Sequence, residues 1–351
     1  MRRLGWLRRL RLLLVAPALL LLATTLASAD SGANHQTKQE TPISLGTSGG
    51  NINDISKAFC YGGTLGALVS NTGGIYILSN NHVLARLNRA TIGEDIIQPG
   101  LIDVGCRGNQ ANIVADLSGF VTILFKSKRT TPANTVDAAI ALVRGGQVQT
   151  DGHILDIGTI SGGTAQGQVG CAVEKSGRTT GLTTGTITAV DVTVDINYGN
   201  GKVARFTGQF LISGSSFSAG GDSGSLIVTV PDKGAKPSAV GLLFAGSSSS
   251  TVANPIGSVL SELEVQMVGS GSGTDCPGPA PSSGTGGAAA AKGRHEEALL
   301  RMPDVVGVGV GRGGAIEVYL ARDNAQSRAQ IPAQLDGVPV RVVVTGEFQA
   351  R

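Results

Sequence analysis

From Gly63 to Phe244 the chain breaks into short runs of apolar and β-branched residues, each cut off by a glycine-rich turn. Residues 63–69, 74–79, 119–125, 138–143, 170–174, 185–190, 203–207 and 239–244 all read this way. Asn71-Thr72-Gly73-Gly74 and Asn200-Gly201 are hairpin signals, since Asn and Gly tolerate the positive φ of tight primed turns. Runs this short cannot be core helices, and their regular spacing argues for an all-β barrel or sandwich. Composition agrees: 52 of 351 residues are glycine, 4% are aromatic and 15% charged. One helix is expected near the end of this region, where Ile256, Val259, Leu260 and Leu263 recur at helical spacing.

The ends of the chain differ from its middle. Residues 1–29 read as a secretory signal, with Arg2, Arg3, Arg8, Arg9 and Arg11, then an apolar stretch, then Ala27-Ser28-Ala29. The apolar stretch is short for a membrane span, although a retained anchor and twin-arginine export are alternatives. Taking the five signal arginines from 28 Lys+Arg leaves 23 against 25 acids, a charge of −2, so nothing points to nucleic acid. No membrane contact is expected after cleavage, and a secreted location, extracellular or periplasmic, follows. Residues 30–57 are polar and read as a loosely held leader. Residues 58–268 form the main domain, and 269–293, rich in Gly, Ser, Pro and Ala, a flexible linker. Residues 294–351 read as a small α+β module. Its Gly309-Val310-Gly311-Arg312-Gly313-Gly314 leads into a strand, so nucleotide binding fails for lack of a helix.

Four cysteines, Cys60, Cys106, Cys171 and Cys276, imply two disulfides in an exported chain. Of the three connectivities, Cys60–Cys106 with Cys171–Cys276 keeps each bridge near one half of the protein. Zinc competes for these cysteines, but no CxxC or His-flanked pair occurs. No metal and no cofactor is expected.

Three segments carry chemistry. Ser218-Ala219-Gly220-Gly221-Asp222-Ser223-Gly224-Ser225 sets a serine between glycines, ahead of the apolar run 226–230. A serine alcohol needs a base and donors for its oxyanion. Gly221 and Ser223 would give those donors from their N–H groups, with Ser223 attacking. A Gly/Ser turn is the bland alternative. The α/β-hydrolase elbow needs G-x-S-x-G, which Ser225 breaks. GDS-type lipases need a D-x-x-H pair near the C-terminus, and Lys292 stands three before His295. His82, in Asn80-Asn81-His82-Val83-Leu84, follows a strand able to hold a base. His153 lies in a Gly/Asp loop, and His35 and His295 lie outside the main domain. Asp137 heads the run Ala138–143, where a buried carboxylate needs a partner. An exposed histidine and an exposed acid are the plainer readings of each alone. The order His82, Asp137, Ser223 joins them.

These blocks resemble the chymotrypsin/trypsin-like serine peptidases, where the nucleophile segment reads GDSGG. They are most similar to the bacterial and plant type that includes the narrow-leaf peptidases. SNNHVLA, DAAIA, GRTTGLTTG and GDSGS carry the resemblance, over about residues 62–268. It implies two antiparallel six-stranded β-barrels, with His82 and Asp137 on the first and Ser223 on the second. The small C-terminal module would accompany them in an accessory or folding-assistance role. It further implies a secreted endopeptidase acting on proteins or peptides through an acyl-enzyme, with His82, Asp137 and Ser223 catalytic. Within the family, residue 217, six before the nucleophile, lies at the base of the specificity pocket. Phe217 there, with Phe244-Ala245-Gly246 as a wall, implies cleavage after small or medium apolar residues. The alternatives are a silent binding protein on the same fold and an esterase using the same triad. Lys175 and Arg178, in the hairpin between two strands, read as solvated charges. Oligomeric state and activation stay open.

Overall fold

The protein is described by a computed structural model over residues 33–56, 59–214, 216–231, 234–276 and 283–351. The signal segment 1–29 lies outside the described residues.

The first set of strands is β1 (Thr47–Asn51), β2 (Gly63–Leu65), β3 (Ala67–Asn71), β4 (Gly74–Ser79), β5 (Asp95–Gln98), β6 (Asn112–Phe120) and β7 (Ala139–Val143). Their order is β3-β4-β7-β6-β5-β1-β2, antiparallel at every step. β2 and β3 are two halves of one strand bent at Gly66, so the sheet closes on itself as a six-stranded barrel. A Cβ at Gly66 would collide with the carbonyl of Gly224, so only glycine lets the chains approach here.

The second set is β8 (Ala172–Gly177), β9 (Gly181–Asn197), β10 (Val203–Ser213), β11 (Leu226–Thr229), β12 (Ala239–Gly246) and β13 (Ser250–Pro255). It runs β9-β8-β11-β12-β13-β10, and β10 pairs back to β9. The protein is therefore all-β with two antiparallel six-stranded barrels, as expected.

Inward side chains fill each barrel: Leu65, Leu68, Ile77, Ile96 and Leu117 in the first, and Val173, Ile187, Phe210, Ile212 and Ile227 in the second. A third apolar cluster joins the two, with Ala67, Leu78 and Val136 of one half against Leu226, Leu242 and Val259 of the other. Non-directional burial thus holds the barrels face to face, with the cleft between them. The helix Ile256–Leu263 buries Ile256 and Val259 on this cluster. Disulfides Cys60–Cys106 and Cys171–Cys276 form, the pairing preferred above.

Three expectations change. The stretch read as a loose leader is packed: Ile43 and Leu45 are buried, and β1 is a barrel strand. Its sequence, Thr-Ser-Gly-Gly-Asn, has no apolar alternation, because Leu65 of β2 fills the space over Gly49. The segment read as linker is also bound in part. Ser270 N–H donates to Ile160 O at 3.0 Å and Thr274 N–H to Lys236 O at 3.1 Å. The helix Ser283–Leu300 begins eleven residues before the expected module boundary.

The C-terminal module adds β14 (Val305–Gly311), β15 (Ile316–Leu320), β16 (Val338–Val344) and β17 (Phe348–Ala350). It does not stand apart, since β14 pairs antiparallel with β9 and extends the second barrel's sheet. β17 lies parallel to the end of β9 and antiparallel to β12, at the mouth of the cleft.

Candidate active site

Strand register brings the first two residues together. Ser79, the last residue of β4, pairs with Ala139, the first of β7. His82 lies three residues beyond one and Asp137 two before the other, so antiparallel pairing delivers both to one end of the barrel. His82 Nδ1 lies 2.6 Å from Asp137 Oδ2, and the carboxylate is fully buried. His82 N–H donates to Asp137 Oδ1 at 3.3 Å. Burial works against the imidazolium, and the charge and hydrogen bond of Asp137 more than offset it, so His82 titrates above the ordinary histidine value.

Ser223 comes from the loop before β11. Thr64 N–H donates to Ser223 O at 2.8 Å and Thr64 Oγ1 to Gly221 O at 3.0 Å, which ties this loop to the first barrel. Gly221 has φ +100°, and a Cβ there would lie 2.5 Å from Thr179 Oγ1, so no other residue fits. Among the described residues neither the Gly221 nor the Ser223 N–H has an acceptor, leaving both donors for a ligand. The Ser223 hydroxyl donates to Phe244 O at 3.1 Å and accepts from Arg351 N–H at 3.1 Å. His82 Nε2 faces Arg351 O at 3.4 Å. Residue 351 thus lies between the serine and the imidazole.

Sequence reasoning missed four supporting residues. Tyr198 donates its hydroxyl to Asp137 Oδ2 at 2.8 Å, and burial, then the carboxylate, raise its pKa far above the usual phenol. Its ring meets His82 edge-on at 5.8 Å. Asn80 Nδ2 donates to Asp137 O at 2.7 Å, and Asn254 Oδ1 accepts from Asp137 N–H at 3.1 Å. Lys175, read above as a solvated charge, is fully buried 3.8 Å from Asp222 and donates to Gly181 O at 2.8 Å and to Thr180 Oγ1. Burial pushes its ammonium down to about 8, against the pull of Asp222. Asp222 also accepts from Thr179 N–H at 2.8 Å and Ala219 N–H at 2.9 Å, which pins the turn that aims the Gly221 and Ser223 donors. Arg178, the other base read as solvated, makes a bidentate pair with Asp103 at 2.8 and 2.5 Å.

The pocket expectation fails at Phe217. Its ring is buried in the second barrel with Ile187 and Ile212, and its carbonyl accepts from Thr183 Oγ1, so it does not line the cleft. Phe244, Ala245 and Gly246 do border the site, alongside β17. Beyond His82 a cleft of about 390 Å³ opens, lined by Asp54, Tyr61, Gly62, Arg86, Tyr198 and Gly221 among others.

A family model described as the Nal1 C-terminal domain matches residues 136–255. No curated protein matches. Among solved structures, the chain is similar to a glutamic acid specific serine protease that uses a histidine triad in substrate binding. Identity there is 22%, over 64% of this chain and 100% of that one, with a TM-score of 0.44. Thermobifida fusca protease A follows at 19%, over 65% and 98%, with 0.43. A Cellulomonas bogoriensis chymotrypsin follows at 18%, over 64% and 98%, with 0.41. The two-barrel fold stands on the strand order given above.

Proposed function

We propose that this chain is a secreted serine endopeptidase. Ser223 attacks the scissile carbonyl and His82 Nε2 takes its proton. The N–H groups of Gly221 and Ser223 hold the oxyanion, and His82 returns the proton to the leaving amine. Water then hydrolyses the acyl-enzyme by the same steps. Asp137 fixes the ring so that Nδ1 carries the proton facing it and Nε2 stays free as the base. Attack requires the Ser223 hydroxyl to leave Phe244 O and turn to His82 Nε2.

The observation that carries this reading is a buried His82–Asp137 pair at 2.6 Å, set by one barrel across from a serine held between glycines by the other. Burying a carboxylate fully is costly unless it is paired, and here it orients a base at the cleft. Two disulfides suit an oxidising compartment, and among the described residues no helix is long and apolar enough to cross a membrane. Hydrolysis of a mixed peptide library by the purified chain tests the proposal. Cleavage that disappears in folded Ser223→Ala supports it, and cleavage that persists there assigns the activity elsewhere.

A further inference from the structure

Residues 347–351 lie in the cleft as a peptide would. β17 runs antiparallel to β12, with Ala350 opposite Ala245 and Gln349 opposite Gly246. Arg351 N–H reaches both Phe244 O, at 3.2 Å, and Ser223 Oγ, at 3.1 Å, while Arg351 O faces His82 Nε2. An extended chain laid on a strand edge reads as β-augmentation, with main-chain hydrogen bonds for affinity and side-chain pockets for selection. Its direction places the N–H of residue 351 at Ser223 Oγ, its carbonyl at His82 Nε2, and the residues before it along residues 244–246. The backbone of these residues lies along β12 as the acyl half of a substrate would, while the Gly221 and Ser223 N–H groups hold no carbonyl among the described residues.

The side chains fit as specific anchors. Phe348 is 1% exposed, against Tyr319 at 6.3 Å edge-on and within the cluster of Val194, Ile196 and Phe244. The Arg351 guanidinium donates to Ser247 O and lies over Gly246, where a Cβ would come within 2.5 Å of Nε. Gly220, Ser247 and Ser248 line the same groove. A carbonyl acceptor beside side-chain-free backbone suits a planar, five-donor cation better than an apolar chain, which would leave the acceptor unpaired. Burial lowers the guanidinium pKa, and the Asp222 carboxylate opposes this.

Resting on the peptidase reading, the geometry points to a cleft built for peptides with arginine before the cut, filled in cis by residues 347–351 so that the chain holds itself blocked. The module's role follows: β14 on β9, and Phe348 in the core cluster, hold the tail over Ser223. A tethered ligand acts at an effective concentration on the order of millimolar. A tail that binds in trans with a dissociation constant of about 0.1 mM would therefore block about nine sites in ten, and removing it would speed the site about tenfold.

The test compares the full chain, a chain lacking residues 347–351, and Arg351→Ala, which keeps the Phe348 anchor. Fluorophosphonate labelling should be about tenfold faster in the shortened chain and at least about fivefold faster in Arg351→Ala. The peptide Gly-Glu-Phe-Gln-Ala-Arg, added in trans, should slow labelling of the shortened chain, and the same peptide ending in alanine should do so at least tenfold less well. The shortened chain should release p-nitroaniline from Phe-Gln-Ala-Arg-p-nitroanilide faster than from the alanine counterpart. Equal labelling of full chain and Arg351→Ala, no effect of the peptide, or preference for the alanine substrate overturns the proposal. Should no form label, the peptidase reading fails. Binding of the fluorescein-tagged arginine peptide to the shortened chain, read by anisotropy, then decides the tail's place alone: no binding overturns it.

Discussion

Tyr198→Phe isolates one hydrogen bond at the centre of the site. The phenol donates at 2.8 Å to the same Asp137 oxygen that His82 Nδ1 meets at 2.6 Å, on a carboxylate with no exposure to water. Phenylalanine keeps the ring contacts with His82 and Phe125, each 5.8 Å between centroids, so packing changes little. Hydrogen bonds to charged groups contribute about 1.5–3 kcal/mol, and burial puts this one toward the upper end, because water cannot replace the lost donor. Urea unfolding should show a loss of about 2–3 kcal/mol with an unchanged m-value. The pH profile should move as well. A carboxylate deprived of one donor attracts the imidazolium more strongly, so the pKa of His82 rises further and the acid limb of kcat/KM shifts to higher pH. Stability within about 0.5 kcal/mol of the parent, as for an ordinary surface change, with an unmoved acid limb, would refute the role given to Tyr198.

Other consequences follow from the same geometry. Asp137→Asn should fold and lose roughly 10⁴ in kcat, since the amide favours the wrong tautomer of His82; near-full activity would remove Asp137 from the mechanism. In the parent chain kcat/KM should rise through a pKa above 6.5, as His82 gives up its proton. The matching stability term has the opposite sense: the raised pKa stabilises the fold fully below pH 6.5 and is lost as pH climbs through the folded value. Above pH about 8 Lys175 discharges and Asp222 loses its cation, so activity should decline there, and Lys175→Met should abolish that alkaline limb. Reduction of Cys60–Cys106 and Cys171–Cys276, which span 46 and 105 residues, should cost about 4 and about 5 kcal/mol by loop entropy, measured on cysteine-to-serine pairs.

The barrels were legible because glycine turns and β-branched runs are local signals in most strands, though not in β1, β5 or β13, and the run read over 119–125 is strand only to Phe120. β1, Thr-Ser-Gly-Gly-Asn, carries no alternation, since its neighbours fill the space its own side chains leave. The candidates His82, Asp137 and Ser223 could be picked out by their order, each at the edge of a readable strand. Tyr198 was not, because it stands in a hairpin turn 61 residues from the carboxylate it serves. Lys175 was misread for a similar reason: a lysine in a glycine- and threonine-rich hairpin is exposed by default, and the acid that buries it lies far along the chain. Phe217 failed through register, as alignment to a nucleophile gives a position but not the direction of a side chain. The tail at 348–351 is too short for any periodicity, and its meaning comes only from β12 beside it.

The central claim is that Ser223, activated by His82, is a nucleophile. Peptide mapping by mass spectrometry after prolonged fluorophosphonate exposure measures this directly. One phosphonyl group on Ser223, absent after urea unfolding and absent in folded His82→Ala, is the expected result. A native chain that stays unlabelled even without residues 347–351, or that carries the adduct on another serine, would contradict the account.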